Sequence, residues 1–271
     1  FGRVHVLVNN AGLGTYNVSY EFANMPSTEL GAPVNRALLP GFAVLSDDTT
    51  RLRSMYVTAL SILALFVVPA AAGICGLAHL IVPVVLGPKW SEAVGLMQVL
   101  AFNGAFLALH ASICAVLVGT GHPKAVSACS TVYVLLLIVL MMVLVPAQGL
   151  IGAACAALAT SILATPAYLW MLSSRLTLEP RLFFIALRRP TIAAALMLTA
   201  LFSFTPDAES ARTGLHSIVW LLGSVVLGAT IYAIAMLGLW AAAGRPEGAE
   251  TLVLTRCRAE LSRRRKARFA E

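Results

Sequence analysis

Charge is what this sequence has least of. Asp, Glu, Lys and Arg make up only 11% of its 271 residues, where soluble domains run near a quarter. Apolar side chains reach 59%, and the mean hydropathy is +0.86. One water-soluble globule of this size cannot hide that excess, which excludes a soluble enzyme and a disordered chain. Cysteine is also sparse. Cys75, Cys114, Cys129, Cys155 and Cys257 show neither a Cys-x-x-Cys pair nor a Cys/His metal spacing, so no disulfide scaffold, metal site or cofactor is implied. Four of them lie in apolar runs, where cysteine acts as a small hydrophobe. The net charge of +7 is concentrated at one end, since residues 256–271 hold seven cations and two acids. No basic patch remains for nucleic acid. Residues 245–271 read instead as a basic cytosolic tail drawn to anionic membrane lipids.

What is present is a succession of long apolar runs. A spanning helix needs about 20 mostly apolar residues, and six segments meet or approach that length: 55–86, 93–118, 125–145, 150–173, 190–204 and 214–242. The segment 12–44 is long enough but more polar, and reads as a seventh, broken span. Breakers separate the runs at Gly87-Pro88, Gly119 to Pro123, Pro146 to Gly149 and Thr205-Pro206, and short loops make sequential helices antiparallel neighbours. The expected fold is therefore all-α, a polytopic membrane bundle of about seven helices over residues 12–244. Residues 1–11 stand apart as an N-terminal remnant or fusion scar.

Cations mark one set of alternate loops. Arg51 and Arg53, then Lys124, then Arg175, Arg181, Arg188 and Arg189 lie in that set with the tail, whereas the other holds Lys89 and Arg212, the latter beside Asp207 and Glu209. The richer set is assigned to the cytosol, which puts the C-terminus inside and the N-terminus outside. The chain opens on Phe1, with no signal peptide before its first apolar run. An outside start of that kind suits a fragment whose earlier spans are missing.

The broken span carries the most chemistry. On a helical projection Asn17, Glu21, Asn24, Thr28 and Asn35 fall in a wedge about 60° wide, with Pro26, Pro33 and Pro40 on the opposite side. Proline frees carbonyls and kinks a helix, which a membrane tolerates where the segment lines a cavity or packs in protein. The stripe is expected to face an interior cavity. Glu21 falls ~14 Å deep in a ~30 Å core, where a carboxylate must pair, face water or take up a proton. A coupling-ion site, a substrate contact and a plain interhelical hydrogen bond all fit it. Arg36 near the cytosolic end either snorkels to headgroups or contacts a phosphate. Asn103 and His110 share a face of the third span, and a buried histidine is structural more often than functional. Tyr16, Tyr20 and the tryptophans suit interfacial anchoring, although the two tyrosines could equally stack on a sugar. The small residues of 149–165 read as close helix packing.

The run from Gly14 to Leu30 (Gly-Thr-Tyr-Asn-Val-Ser-Tyr-Glu-Phe-Ala-Asn-Met-Pro-Ser-Thr-Glu-Leu), continued by Ala32 to Phe42, resembles the opening of the second half of bacterial lipid-linked oligosaccharide flippases. These are the polysaccharide transporters of the multidrug/oligosaccharidyl-lipid/polysaccharide exporter superfamily. Val84 to Val94, with its Leu-Gly-Pro-Lys-Trp turn, and Leu117 to Lys124 match further. The resemblance covers about residues 12–240. It implies half of a fourteen-helix exporter in the bacterial cytoplasmic (inner) membrane, carrying an undecaprenyl-diphosphate-linked glycan outward by alternating access. The implied partners are the lipid-linked glycan, membrane lipids and the missing N-terminal half of the bundle, with no nucleic acid. Asn17, Tyr20, Glu21, Asn24 and Asn103 are then the candidate cavity lining, with Arg36 a phosphate contact and His110 on the pathway.

Two rivals come from other classes. A multi-span enzyme of glycan assembly, such as a polymerase or acyltransferase, would need a catalytic loop, and the stretch 175–189 offers four Arg and one Glu but no His. No catalytic residues are expected. Phe1 to Gly12, with Asn-Asn-Ala-Gly, looks like a strand and turn of short-chain dehydrogenases, but no Tyr-x-x-x-Lys follows. A related drug or lipid exporter of the same superfamily is the third alternative.

Overall fold

The computed structural model describes residues 2–176, 179–204 and 215–242. The Thr205-Pro206 breaker, the charges Asp207, Glu209 and Arg212, and the basic tail lie outside the described residues. Those described are helical and form no strand. Gly2–Met25 is one helix, α1, so residues 2–12, whose sequence looks like a dehydrogenase strand and turn, form neither. A lone strand in hydrocarbon would leave its backbone groups unpaired, while a helix satisfies them internally.

After α1 the helix widens into a π turn, Pro26–Gly31, and continues as α2, Ala32–Val44. The Ala32 N–H reaches Ser27 O, five residues back. The cause is Pro33: its ring cannot donate and would clash with the carbonyl four residues earlier, which a wider turn avoids. The same happens in α3, Thr49–Ile81, which passes at Pro83 into a second π turn, Val82–Leu86. Asp48 caps α3, its side chain accepting from Arg51 N at 3.0 Å, as an N-cap carboxylate should.

α4, Ala93–Gly119, is the central helix and packs against α1, α2, α3 and α5. Small residues let the broken helix approach closely. A Cβ on Gly104 would meet Ala23 O at 2.7 Å, one on Gly31 would meet Ala108 Cβ at 3.3 Å, and one on Gly119 would meet Phe42 Cβ at 2.8 Å. Between membrane helices such backbone contact supplies the dispersion that apolar burial supplies in water. α4 ends on Gly121 at φ +81°, with His122 N–H bonded to Leu117 O at 2.8 Å, a left-handed cap that glycine permits.

α5, Pro123–Leu176, breaks at Gly149, whose φ of 60° and ψ of −132° are not helical. It is followed by α6, Arg181–Phe204, and α7, Leu215–Ala242. Among the described residues, five helices are long and apolar enough to cross a membrane: Thr49–Leu86, Ala93–Gly119, Pro123–Leu176, Arg181–Phe204 and Ser217–Ala242. A count of seven requires dividing α5 at Gly149 and including the more polar broken helix. Val139 and Met142 on α5, and Val226 and Ile234 on α7, are exposed, the apolar surface that lipid would cover. Arg53 at the start of α3 lies 3.7 Å from Glu179, which also pairs with Arg181. Two cation-bearing loops of the same alternate set therefore share one end of the bundle.

Candidate functional site

The polar residues of the broken helix part into two groups. Asn17, Tyr20, Glu21 and Thr28 are exposed on one face, with Glu29 and Arg36 also exposed further along. Asn24 turns inward and keeps only 4% of its surface exposed, and Asn35 is likewise buried. The single stripe read from the helical projection is thus split by the packing of α1 on α4, because Gly104 admits Ala23 and Asn24 against it.

The carbonyls loosened by the π turn are recaptured locally. Asn24 Nδ2 donates to Tyr20 O at 2.9 Å, Ser27 Oγ donates to Asn24 O at 2.8 Å, and Thr28 Oγ1 reaches the same carbonyl at 3.2 Å. Side chains of this kind satisfy backbone groups that a regular helix would have paired. Tyr16, partly buried against the packing of α1 on α4 and α5, stacks on the exposed Tyr20, ring centres 6.3 Å apart and planes 18° from parallel.

Asn103 and His110 do not join that face. Both are buried, at 1% and 3% exposure, in a polar seam between α4 and the second half of α5. Ser161 Oγ donates to Asn103 Oδ1 at 2.7 Å. With that hydroxyl proton committed, the 3.4 Å contact from Tyr133 makes the phenol the donor. Thr165 Oγ1 donates to Ser161 O at 2.8 Å, so its 3.0 Å contact with His110 makes the ring Nε2 the donor and leaves the neutral ring's Nδ1 as an acceptor. The His110 ring lies flat on Tyr168, centres 4.3 Å apart and planes 4° from parallel.

Sequence reasoning passed over Tyr133, Ser161, Thr165 and Tyr168. The signal was the spacing of Ser161, Thr165 and Tyr168 at four and three residues, one helical face opposite the seven-residue spacing of Asn103 and His110. An apolar groove of about 670 Å³ opens elsewhere, between α3, α6 and α7, lined by residues such as Phe66, Pro69, Leu77 and Met236 and by none of the candidate polar residues. Among the described residues, no three His, Cys, Asp or Glu side chains gather as metal ligands would.

Comparison with known proteins points one way. Residues 4–95 match the family model described as polysaccharide biosynthesis protein. The lipopolysaccharide biosynthesis protein WzxC of Escherichia coli K12 is 34% identical over 91 residues, which are 34% of this chain and 18% of WzxC. The teichuronic acid biosynthesis protein TuaB of Bacillus subtilis 168 is 29% identical over 92 residues, 34% of this chain and 19% of TuaB. The aligned stretch thus spans about a fifth of these relatives. In fold, the chain superposes on the lipid II flippase MurJ, in an inward closed conformation, with a TM-score of 0.66 and 19% identity, over 86% of this chain and 48% of MurJ. The resemblance is borne out in sequence over residues 4–95, which are similar to polysaccharide biosynthesis proteins, and in fold by the superposition on MurJ over 86% of this chain.

Proposed function

We propose that this chain is the second-half bundle of a transporter that moves lipid-linked oligosaccharide or polysaccharide precursors across the bacterial cytoplasmic membrane by alternating access. Its seven segments are the broken helix, α3, α4, the two halves of α5, α6 and α7, with the basic tail cytosolic. The lipid carrier is undecaprenyl diphosphate, and a first-half bundle provides the opposite wall.

One observation carries the reading. Asn17, Tyr20 and Glu21 project outward from a helix whose other face is packed on α4. Amide and carboxylate groups presented to hydrocarbon would cost several kcal/mol. Facing a second bundle across a hydrated passage, they contact polar cargo instead. The glycan needs such a surface, because its hydroxyls and diphosphate cannot cross acyl chains unsolvated. Asn24 supports the face from behind through its bond to Tyr20 O, Arg36 contacts the diphosphate nearer the cytosolic end, and Asn103 and His110 act through the seam rather than by touching cargo.

The test is glycan export in cells whose full-length carrier bears Glu21→Gln or Asn17→Ala. At matched membrane levels export is expected to fall about tenfold, equivalent to ~1.4 kcal/mol. Unchanged export from both variants removes this face from the mechanism.

A further inference from the structure

We propose that the exposed face of the first two turns of α6 binds one anionic diacyl phospholipid of the surrounding bilayer. Arg181 and Arg188 hold its phosphodiester, and Phe184 and Ile185 its glycerol and upper acyl carbons. The inference concerns the lipid-facing wall and not the cargo face, so it stands or falls independently of the glycan reading.

α6 turns Phe183, Ala186, Ala193 and Met197 inward and packs on α3 and α7, whereas the broken helix packs on α4. Its other side is open along its length. Phe184, Ile185, Ile192, Leu196 and Phe202 keep 48–61% of their surface exposed, an apolar stripe suited to acyl chains. Arg181 and Arg188 are exposed as well. Helical spacing puts both arginines, Phe184, Ile185, Ile192 and Leu196 within about 120° of one another. The two cations therefore stand in line with the stripe, on the surface that meets lipid.

Their depths differ. A ~30 Å core counted back from Phe204 at ~1.5 Å per residue ends near Ile185. Arg181 then stands in the headgroup layer and Arg188 ~5 Å below its edge, where a guanidinium needs a counter-ion or a reach to water. Arg181 is offset by Glu179, which also meets Arg53. Arg188 has no ion-pair partner among the described residues, and Arg189 is half-buried on the flank. The route from Arg188 to the headgroups runs past Phe184 and Ile185 toward Arg181. The two Cα positions are ~10.5 Å apart along the axis, within the combined reach of two arginine side chains that converge on one phosphate. Phe184 is braced from behind, edge-on to the buried Phe183 with ring centres 5.8 Å apart and planes at 86°. A phosphodiester accepts paired N–H groups from each guanidinium. Sign supplies the selectivity: the ammonium of phosphatidylethanolamine brings like charge to the arginines, and the headgroup of phosphatidylglycerol does not.

Native mass spectrometry of the full-length carrier, released from detergent and titrated with phosphatidylglycerol or phosphatidylethanolamine, tests this. One phosphatidylglycerol is expected to bind at least fivefold more tightly than phosphatidylethanolamine. Arg188→Ala should weaken it about fivefold, while Arg188→Lys keeps most of the affinity. Lys124→Ala removes an exposed cation from the start of α5 and should leave the bound lipid in place, as should millimolar sn-glycerol 3-phosphate. Phosphatidylglycerol should raise the unfolding temperature of the wild type and not that of Arg188→Ala. Equal affinity for the two lipids, equal losses in Arg188→Ala and Lys124→Ala, or displacement by glycerol phosphate overturns the lipid site.

Discussion

Ser161 and Asn103 join α5 to α4 by a 2.7 Å hydrogen bond at a depth where neither side chain meets solvent. The bond is the midpoint of a seam that runs from Tyr133 on one side to Thr165 and His110 on the other. It ties the two halves of the kinked α5 to the helix on which the broken span rests. Asn103→Ala leaves Ser161 a buried donor without its acceptor and is expected to cost about 1–3 kcal/mol. The double variant Asn103→Ala/Ser161→Ala should cost less than the sum of the singles, with a coupling of about 0.6 kcal/mol typical of membrane hydrogen bonds. Thermal unfolding of the four forms in detergent measures this directly, and additive losses would show that the bond carries no coupling.

His110 is expected to behave as a packing residue. Its ring fills the space against Tyr168 and donates to Thr165. His110→Ala removes a buried ring and should destabilise by about 3–5 kcal/mol, in the range of large-to-small core changes. His110→Phe, which keeps the stack and loses the bond, should cost less. Export by these variants should follow the amount of folded protein in the membrane. A variant with wild-type abundance and abolished export would assign His110 a direct role instead.

Two glycines on α4 make a contrast. Gly104→Ala places a methyl 2.7 Å from the Ala23 carbonyl, whereas Gly95 has nothing within 4 Å of a Cβ. The first substitution must push α1 away and is expected to cost about 1–3 kcal/mol. Gly95→Ala should be neutral or slightly stabilising, through helix propensity worth about 1 kcal/mol at most. Unfolding midpoints measured side by side decide the matter, and equal midpoints would contradict the close approach of α1.

Gly149→Ala tests the division of α5. At φ 60° and ψ −132° a side chain is strained, at a cost of about 1–3 kcal/mol. The expected result is a lowered unfolding temperature. An unchanged one would mean that α5 runs through position 149 as a regular helix.

Much of this architecture is legible in the sequence because bilayer thickness sets helix length and hydropathy reports it. The apolar runs and the breakers from Gly119 to Pro123 and from Pro146 to Gly149 were readable in that way. The exposed part of the stripe was readable too, since Asn17 and Glu21 are one turn apart. What a single helix cannot reveal is which neighbour covers which part of its surface. Asn24 lies close to Glu21 in projection, yet it is buried because Gly104 on another helix makes room there. The α4–α5 seam was missed for the same reason: Ser161 and Thr165 sit among alanines whose smallness suggested packing alone. The opening Val-His-Val-Leu-Val favours a strand by local propensity, and the helix prevails because an isolated strand leaves its backbone unpaired.

The central claim is that the Asn17–Glu21 face borders water between protein walls, and thiol labelling measures this most directly. The five native cysteines are replaced in the full-length carrier, and Asn17→Cys and Glu21→Cys are compared with Val139→Cys, which lies ten residues from Gly149 on an exposed apolar face. With a water-soluble, membrane-impermeant maleimide, the first two are expected to react and the third to stay unmodified. Failure of Glu21→Cys to label faster than Val139→Cys would contradict the account.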